Sequence, residues 1–148
     1  MNEEYRDVVL NVRIRMPISS TNSPRNFINK MLAYKQICSI PNSMSVLDDI
    51  LPCLAKALER GIKGPLNATN PGVIDHTTIL TWYKELQNPA HTWTEVSNEV
   101  LVNTLVKGAR SNNYLDTSRI EKLFPELPTI GASVRRIMET YQFSVGAA

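Results

Sequence analysis

Residues 8–17 read VVLNVRIRMP, in which apolar side chains recur at every second position from Val8 to Met16. A period of two is typical of a β-strand with one apolar face and one polar face. Pro17 has no backbone N–H for a neighbouring strand, so the strand is predicted to end there. Arg13 and Arg15 then share one face, next to a polar loop at 19–23.

The rest of the sequence alternates helical periodicity with short apolar runs. Residues 37–40 form a short apolar run, and a short strand is predicted at 65–69. Helices are predicted to begin near residues that can cap them, namely Ser23, Asp48, Asp75, Thr94, Asp116 and Thr129. The class is α/β or α+β, helix-rich with a few short strands. A self-contained doubly wound sheet needs more strands than this, so the sequence indicates part of a larger α/β protein or a chain that needs a partner.

Composition excludes several classes of function. The 148 residues suffice for one domain with a core, and the net charge of +2 provides no strong attraction for nucleic acid or an acidic membrane. No stretch approaches the ~20 apolar residues of a transmembrane helix, and the first 20 residues lack a signal-peptide pattern. We therefore expect a soluble cytoplasmic chain.

Catalytic and metal-binding motifs are absent from the sequence. His76 and His91 do not form an HxxH or HExxH spacing, Cys38 and Cys53 do not form CxxC, and no GxSxG is present. No metal site is predicted.

Basic residues provide the candidate anion sites. Two guanidiniums at positions 13 and 15 can bind a phosphate together, although spacing alone slightly favours a solvated strand face. Arg110 lies in a loop shortly before the helix predicted to begin at Asp116. The sequence supports two interpretations of Arg110 about equally, an anion site beside a helix N-terminus and an ordinary loop arginine. Lys30 borders an apolar helix face, a position from which a lysine usually extends to solvent.

Several blocks resemble, in order along the chain, the bifunctional UDP-4-keto-6-deoxyglucose 3,5-epimerase/4-reductases. These UDP-rhamnose-forming enzymes are extended short-chain dehydrogenase/reductases related to dTDP-4-dehydrorhamnose reductase. The matching blocks are NVRIRMPISS (11–20), NSPRNFINK (22–30), IPNSMSVLD (40–48), NATNPGVIDH (67–76), RSNN (110–113), LDTS (115–118) and FPEL (124–127).

The resemblance implies a reaction and a place within the enzyme. The family epimerises C3 and C5 of UDP-4-keto-6-deoxyglucose and then reduces the C4 ketone with NAD(P)H to give UDP-rhamnose. This chain resembles the C-terminal half, with the last Rossmann-type strand and loop at 1–20 and a small substrate-binding lobe at 21–148.

The resemblance also implies roles for individual residues. Lys30 matches the lysine of the epimerase acid/base pair. Met16, Pro17 and Ile18 match the stretch that lies against the nicotinamide end of the cofactor. The residues implied to bind the nucleotide sugar are Arg15, Asn26, Arg110, Asn112 and Asn113.

Two parts of the family's active site have no match in this sequence. There is no Gly-rich dinucleotide turn, and no tyrosine has a lysine four residues later. The cysteine that the family pairs with its epimerase lysine is also missing. We therefore expect that this chain alone binds no NAD(P)H and is inactive, and that it works with a separate N-terminal Rossmann half or a full-length relative. The alternative is a non-catalytic nucleotide-sugar-binding or protein-interaction module.

Overall fold

A computed structural model of the protein describes residues 7–100 and 113–144, which form six short strands and six helices. The strands are Leu10–Arg13 (β1), Pro17–Ile18 (β2), Gln36–Ile37 (β3), Ser45–Val46 (β4), Gly64–Asn67 (β5) and Thr94–Glu95 (β6). The helices are Phe27–Leu32 (α1), Leu47–Glu59 (α2), His76–Leu86 (α3), Asn98–Val100 (α4), Ser118–Leu123 (α5) and Ile130–Thr140 (α6). The predicted mixture of helices and short strands is confirmed.

The strands form three parallel pairs, β1 with β5, β2 with β4 and β3 with β6. The prediction of one continuous strand up to Met16 is wrong, because β1 ends at Arg13 and Met16 adopts a left-handed φ of 42°. Pro17 begins β2 rather than ending β1. Ser45 holds the bend, since its amide donates to the Arg15 carbonyl at 2.8 Å and its hydroxyl accepts from the Arg15 amide at 3.0 Å.

Helix α1 begins later than the sequence predicts. Asn26, not Ser23, is the N-cap, and its Oδ1 accepts from the Ile28 amide at 3.2 Å. Its Nδ2 also donates to the carbonyls of Ser19 and Thr21, at 2.7 and 2.8 Å. Asn26 thus fixes the loop that precedes the helix as well as the helix start.

Two other local predictions are wrong. Thr94 begins a strand instead of a helix, because its amide donates to the Lys35 carbonyl beside β3. Helical spacing predicts that Leu51, Leu54, Ala55 and Leu58 form the buried stripe of α2, but Leu51 and Leu58 are 57% and 67% exposed. The buried residues of that helix are Ile50, Cys53 and Ala57. Strand β4 runs directly into α2, so the strand fixes which helix face points inward.

The core consists of two clusters. The larger is formed by β2, β3, β4, α1, α3 and α6, and the smaller by α2, β5 and α5. Thr129 caps α6 as predicted. The sequence predicts an apolar stripe on this helix, of which Ile130, Val134, Ile137 and Met138 are buried, but Tyr141, the last residue of the stripe, is 43% exposed. Within the described ranges, no helix is long and apolar enough to cross a membrane.

The β1–β5 pair is poorly covered on the β1 side. Val12 and Ile14 are 36% and 51% exposed, and Val8, just before the strand, is 63% exposed. On the far edge of β5, Arg119 donates to the carbonyls of Pro65 and Lys63. No described strand pairs with the far edge of β1. Parallel sheets are normally covered on both faces, and the described residues leave these side chains of the β1–β5 pair exposed.

Asp75 is predicted to cap α3 and does so, with Oδ1 accepting from the Thr78 amide at 2.8 Å. Burial acts to raise the pKa of this carboxyl, but hydrogen bonds from Thr78 and Ser39 outweigh burial and hold the pKa below its ordinary value. A depressed carboxyl pKa contributes stability that is present above the unfolded-state pKa of about 3.9 and is lost as the pH falls through the folded-state value.

We expect Asp75→Ala to lower the free energy of unfolding by about 1 kcal/mol at neutral pH. The difference from the wild type should begin to shrink as the pH falls below about 4 and should continue to shrink until the Asp75 carboxylate of the folded protein is protonated. Urea unfolding at pH 7 and pH 3 measures this, with the exposed Asp7→Ala as control. A difference that stays constant between the two pH values would rule out a stabilising role of the ionised cap.

Candidate functional site

Two of the predicted sugar-nucleotide residues meet at one buried side chain. Arg15 donates from Nη2 to Asn42 Oδ1 at 2.9 Å, and the Asn113 amide donates to the same oxygen at 3.2 Å. Asn42 is 2% exposed and donates from Nδ2 to the Ile40 carbonyl at 2.9 Å. The end of β1 and the segment after residue 112 are thereby joined, although 98 residues of sequence separate Arg15 from Asn113.

The backbone around Asn42 is held on both sides. Its amide and carbonyl pair with Ile74 in an antiparallel bridge, with distances of 3.0 and 3.1 Å. Ser43 donates its amide to the Asn113 carbonyl at 3.2 Å and accepts from the Leu115 amide at 2.9 Å. Asn42 therefore positions both the Arg15 guanidinium and the Asn113 backbone amide at this site. Sequence reasoning missed it, although it lies within one of the blocks that carry the resemblance.

The other predicted site residues differ in their accessibility. Lys30 is exposed on α1, and no described residue forms a side-chain hydrogen bond or ion pair with it. Pro17 is exposed, but the Ile18 side chain is fully buried in the larger core cluster. Arg110 and Asn112 lie outside the described residues.

A cleft of about 270 Å³ brings Pro17 and Asn26 together. Its other lining residues are mostly polar, namely Ser19, Thr21, Ser23, Arg25 and Leu47. Asn26 uses its side-chain amide for the cap and loop contacts, so the hydroxyls and Arg25 are the groups best able to meet a ligand here.

A smaller, mostly apolar cavity of about 80 Å³ lies between α1 and the start of α3. It is lined by Met16, Phe27, Met31, Tyr34, Ile37 and His76. His76 was considered in the sequence only as a metal ligand, and its position in this cavity was not predicted. Met16, one of the predicted cofactor residues, lies at this cavity.

Neither cysteine offers a thiolate to the site. Burial, assisted by the nearby Glu95 charge, raises the pKa of the Cys38 thiol. Burial also raises the pKa of Cys53, which lies in the smaller core cluster. In the part of the chain that the structure describes, no cluster of three histidine, cysteine or acidic residues could hold a metal ion.

Comparison with known proteins points to enzymes of nucleotide-sugar metabolism. The chain is 40% identical over 135 residues to protein L780 of Acanthamoeba polyphaga mimivirus, covering 91% of this chain and 46% of that protein. The crystal structure of L780, described as a UDP-rhamnose synthase, superposes with a TM-score of 0.86 over 90% of this chain and 46% of that chain. No protein-family model matches the sequence.

Two Arabidopsis thaliana enzymes are similar over almost the same residues. The trifunctional UDP-glucose 4,6-dehydratase/UDP-4-keto-6-deoxy-D-glucose 3,5-epimerase/UDP-4-keto-L-rhamnose-reductase RHM1 is 45% identical, over 89% of this chain and 20% of that protein. The bifunctional dTDP-4-dehydrorhamnose 3,5-epimerase/reductase is 42% identical, over 85% of this chain and 42% of that protein. The chain spans less than half the length of each of these relatives.

A more distant structure shares the fold alone. The reductase domain of an aureusimine biosynthetic cluster superposes with a TM-score of 0.51 at 16% identity, over 86% of this chain and 42% of that domain. The predicted resemblance to part of the epimerase/reductase family is thus confirmed by sequence and by structure.

Proposed function

Because the chain is homologous to part of the UDP-rhamnose synthases and plant epimerase/reductases, we propose that it supplies the nucleotide-sugar-binding portion of such an enzyme. In this proposal it is the C-terminal, substrate-side lobe of an extended short-chain dehydrogenase/reductase in the cytoplasm. The substrate is UDP-4-keto-6-deoxyglucose and the product is UDP-rhamnose.

The observation that carries the proposal is the convergence of Arg15 and Asn113 on Asn42 Oδ1. The buried Asn42 side chain holds the Arg15 guanidinium next to Asn113, which follows Arg110 and Asn112 in the sequence. A planar guanidinium together with amide N–H donors is a combination that binds diphosphates. Asn42 is neutral, so its hydrogen bond orients the Arg15 guanidinium without neutralising its charge.

Lys30 has the accessibility that proton transfer requires. Its ammonium is exposed and forms no ion pair within the described residues, so it can approach a sugar bound beside α1. In the proposed epimerisation, Lys30 exchanges a proton at the carbon next to the keto group. Its family partner, a cysteine, would come from outside this chain.

The described residues do not fit a complete NAD(P)H site. Pro17 can face a nicotinamide from the 270 Å³ cleft, but Ile18 points into the core. Gly61 and Gly64 adopt left-handed φ angles where the chain passes from α2 to β5. The sequence from Gly61 to Gly64 is GIKG, which does not match the GxGxxG turn of dinucleotide-binding folds. We therefore assign cofactor binding, and with it the hydride transfer, to a second unit.

The poorly covered side of β1 suits the docking of that unit. An edge with exposed valine and isoleucine side chains can accept a further parallel strand and the helices that cover it. We propose that a Rossmann-type unit, as a separate chain or as part of a full-length relative, completes the sheet here.

Calorimetric titration with UDP tests the binding part of the proposal. We expect weak binding by this chain alone, because in this proposal the second unit supplies the other wall of the cleft, and we expect uridine to bind more weakly still. Tight binding without the second unit would favour the alternative of a self-sufficient nucleotide-sugar-binding module. No difference between UDP and uridine would contradict a diphosphate site at Arg15.

A further inference from the structure

One wall of the larger cleft is the loop 19–23, in which every second residue lines the cleft. The lining residues of this loop all carry hydroxyls, namely Ser19, Thr21 and Ser23. The two residues between them are held by other parts of the fold. Ser20 donates its amide to Asp48 Oδ2 at 2.9 Å and its hydroxyl to Asp48 Oδ1, at the start of α2. Asn22 is held by α1 and by the segment 141–144, which follows α6.

A buried asparagine on α1 joins these two elements to the loop. Asn29 is 2% exposed and directly precedes Lys30. Its Nδ2 donates to Asn22 Oδ1 and to the Ser144 carbonyl, the latter at 2.7 Å. Asn22 Nδ2 donates to Ser144 Oγ at 3.1 Å. The three residues thus form a closed hydrogen-bond network, although 122 positions of sequence separate Asn22 from Ser144.

The segment 141–144 is itself fixed by α3 and by the residue that follows it. Gln87 Oε1 accepts from the Phe143 amide at 2.8 Å, and Gln87 Nε2 donates to the Tyr141 carbonyl at 2.6 Å. Tyr83 on α3 donates its hydroxyl to the Phe143 carbonyl at 3.3 Å, and the Phe143 side chain is buried in the larger core cluster. None of these hydrogen bonds involves the loop 19–23, so the segment supports the loop from outside.

We propose that Asn22 and Asn29 are positioning residues, which tie the cleft wall and α1 to the segment 141–144 and so hold the cleft in its binding geometry before a ligand arrives. A wall that is already ordered loses less conformational entropy on binding than a wall that the ligand must order. The inference rests on the proposed function, because it names residues that keep the site of that function in place.

Replacing Asn22 tests the network at its accessible member. Asn22 is exposed, so Asn22→Ala should leave the protein folded while removing the contacts to Asn29 and Ser144. Asn22→Asp should restore both contacts, because a carboxylate accepts from the Asn29 side-chain amide and from the Ser144 hydroxyl. The control is Asn98→Ala, the same substitution at an exposed asparagine outside the network.

Amide hydrogen exchange followed by NMR measures how firmly the loop is held. The Ser20 amide donates to Asp48, and the Asn26 amide donates to the Ser23 carbonyl at 2.9 Å. We expect both amides to exchange about tenfold faster in Asn22→Ala, the value of roughly one hydrogen bond. Exchange in Asn22→Asp and in Asn98→Ala should match the wild type.

Binding of UDP-rhamnose, titrated by NMR at a temperature where every variant is folded, measures the positioning role. We expect Asn22→Ala to bind about fivefold more weakly than the wild type, because the ligand must then order the loop. Asn98→Ala should bind as the wild type does. A purely structural role would lower the stability of Asn22→Ala without changing the affinity of the folded protein.

The two measurements separate the ways in which the inference can fail. Unchanged exchange at Ser20 and Asn26 in Asn22→Ala would overturn it, whether or not a ligand binds. Faster exchange with unchanged affinity for UDP-rhamnose would show that the network stabilises the loop without positioning the site, which overturns the inference and leaves the proposed function intact. If the wild type itself does not bind UDP-rhamnose, the positioning role fails together with the proposed function.

Discussion

Replacing Asn70 with alanine is expected to lower the free energy of unfolding by about 3 kcal/mol, because this residue satisfies buried groups from three parts of the fold. Asn70 is completely buried. Its Oδ1 accepts from the Val46 amide at 2.8 Å, and its Nδ2 lies 3.1–3.2 Å from acceptors on Asp49, Pro128 and Ser133. Alanine would leave the Val46 amide and the Pro128 carbonyl without these partners.

Urea unfolding followed by circular dichroism measures the effect of Asn70→Ala. The matched control is Asn98→Ala, at an exposed asparagine, which should change stability by less than about 0.5 kcal/mol. If both variants unfold at the same urea concentration as the wild type, Asn70 does not join β4, α2 and α6 in the way described.

Replacing Arg15 with glutamine is expected to weaken UDP binding by about 10- to 100-fold, the range for losing a charge-assisted contact to phosphate. Glutamine keeps an amide that can still donate to Asn42 Oδ1, so the fold should be retained while the charge is lost. Calorimetry on the wild type and the variant, at one fixed salt concentration, measures the change.

Arg13→Gln is the control for Arg15→Gln, because it removes the same charge two residues earlier on β1. The Arg13 side chain is exposed and does not reach Asn42. A loss of affinity that is equal in the two variants would indicate only the general effect of net charge. A loss confined to Arg15→Gln would support a phosphate contact at the end of β1.

Local patterns were sufficient where a short-range interaction determines the structure. The caps at Asp75 and Thr129 and the apolar stripe of α6 were predicted, because capping and helical periodicity depend on residues within a few positions. The bend at Met16 was not, because its cause is the contact between Arg15 and Ser45, which are 30 positions apart. The true cap of α1 was missed because Ser23 and Pro24 form an equally good local pattern.

The candidate site was predictable only in part, for the same reason. The resemblance implies that Arg15 and Asn113 bind the nucleotide sugar, which stays a prediction, and nothing local in the sequence shows that Asn42 joins them. His76 gave no useful pattern, since its position depends on Cys38 and Phe27 from other segments. The exposed side of β1 agrees with the sequence-based expectation that the chain needs a partner, because a strand with an apolar face requires a cover and the described residues leave that face exposed.

The most direct test of the account is to incubate the purified 148-residue chain with NADPH and UDP-4-keto-6-deoxyglucose and to follow NADPH oxidation together with UDP-rhamnose formation. We expect no turnover above background, because the dinucleotide turn and the Tyr-x-x-x-Lys pair are absent from this sequence. Hydride transfer requires the cofactor and the proton donor to be held in the same site as the substrate. Turnover by this chain alone would contradict its assignment as a substrate-binding portion that needs a second unit.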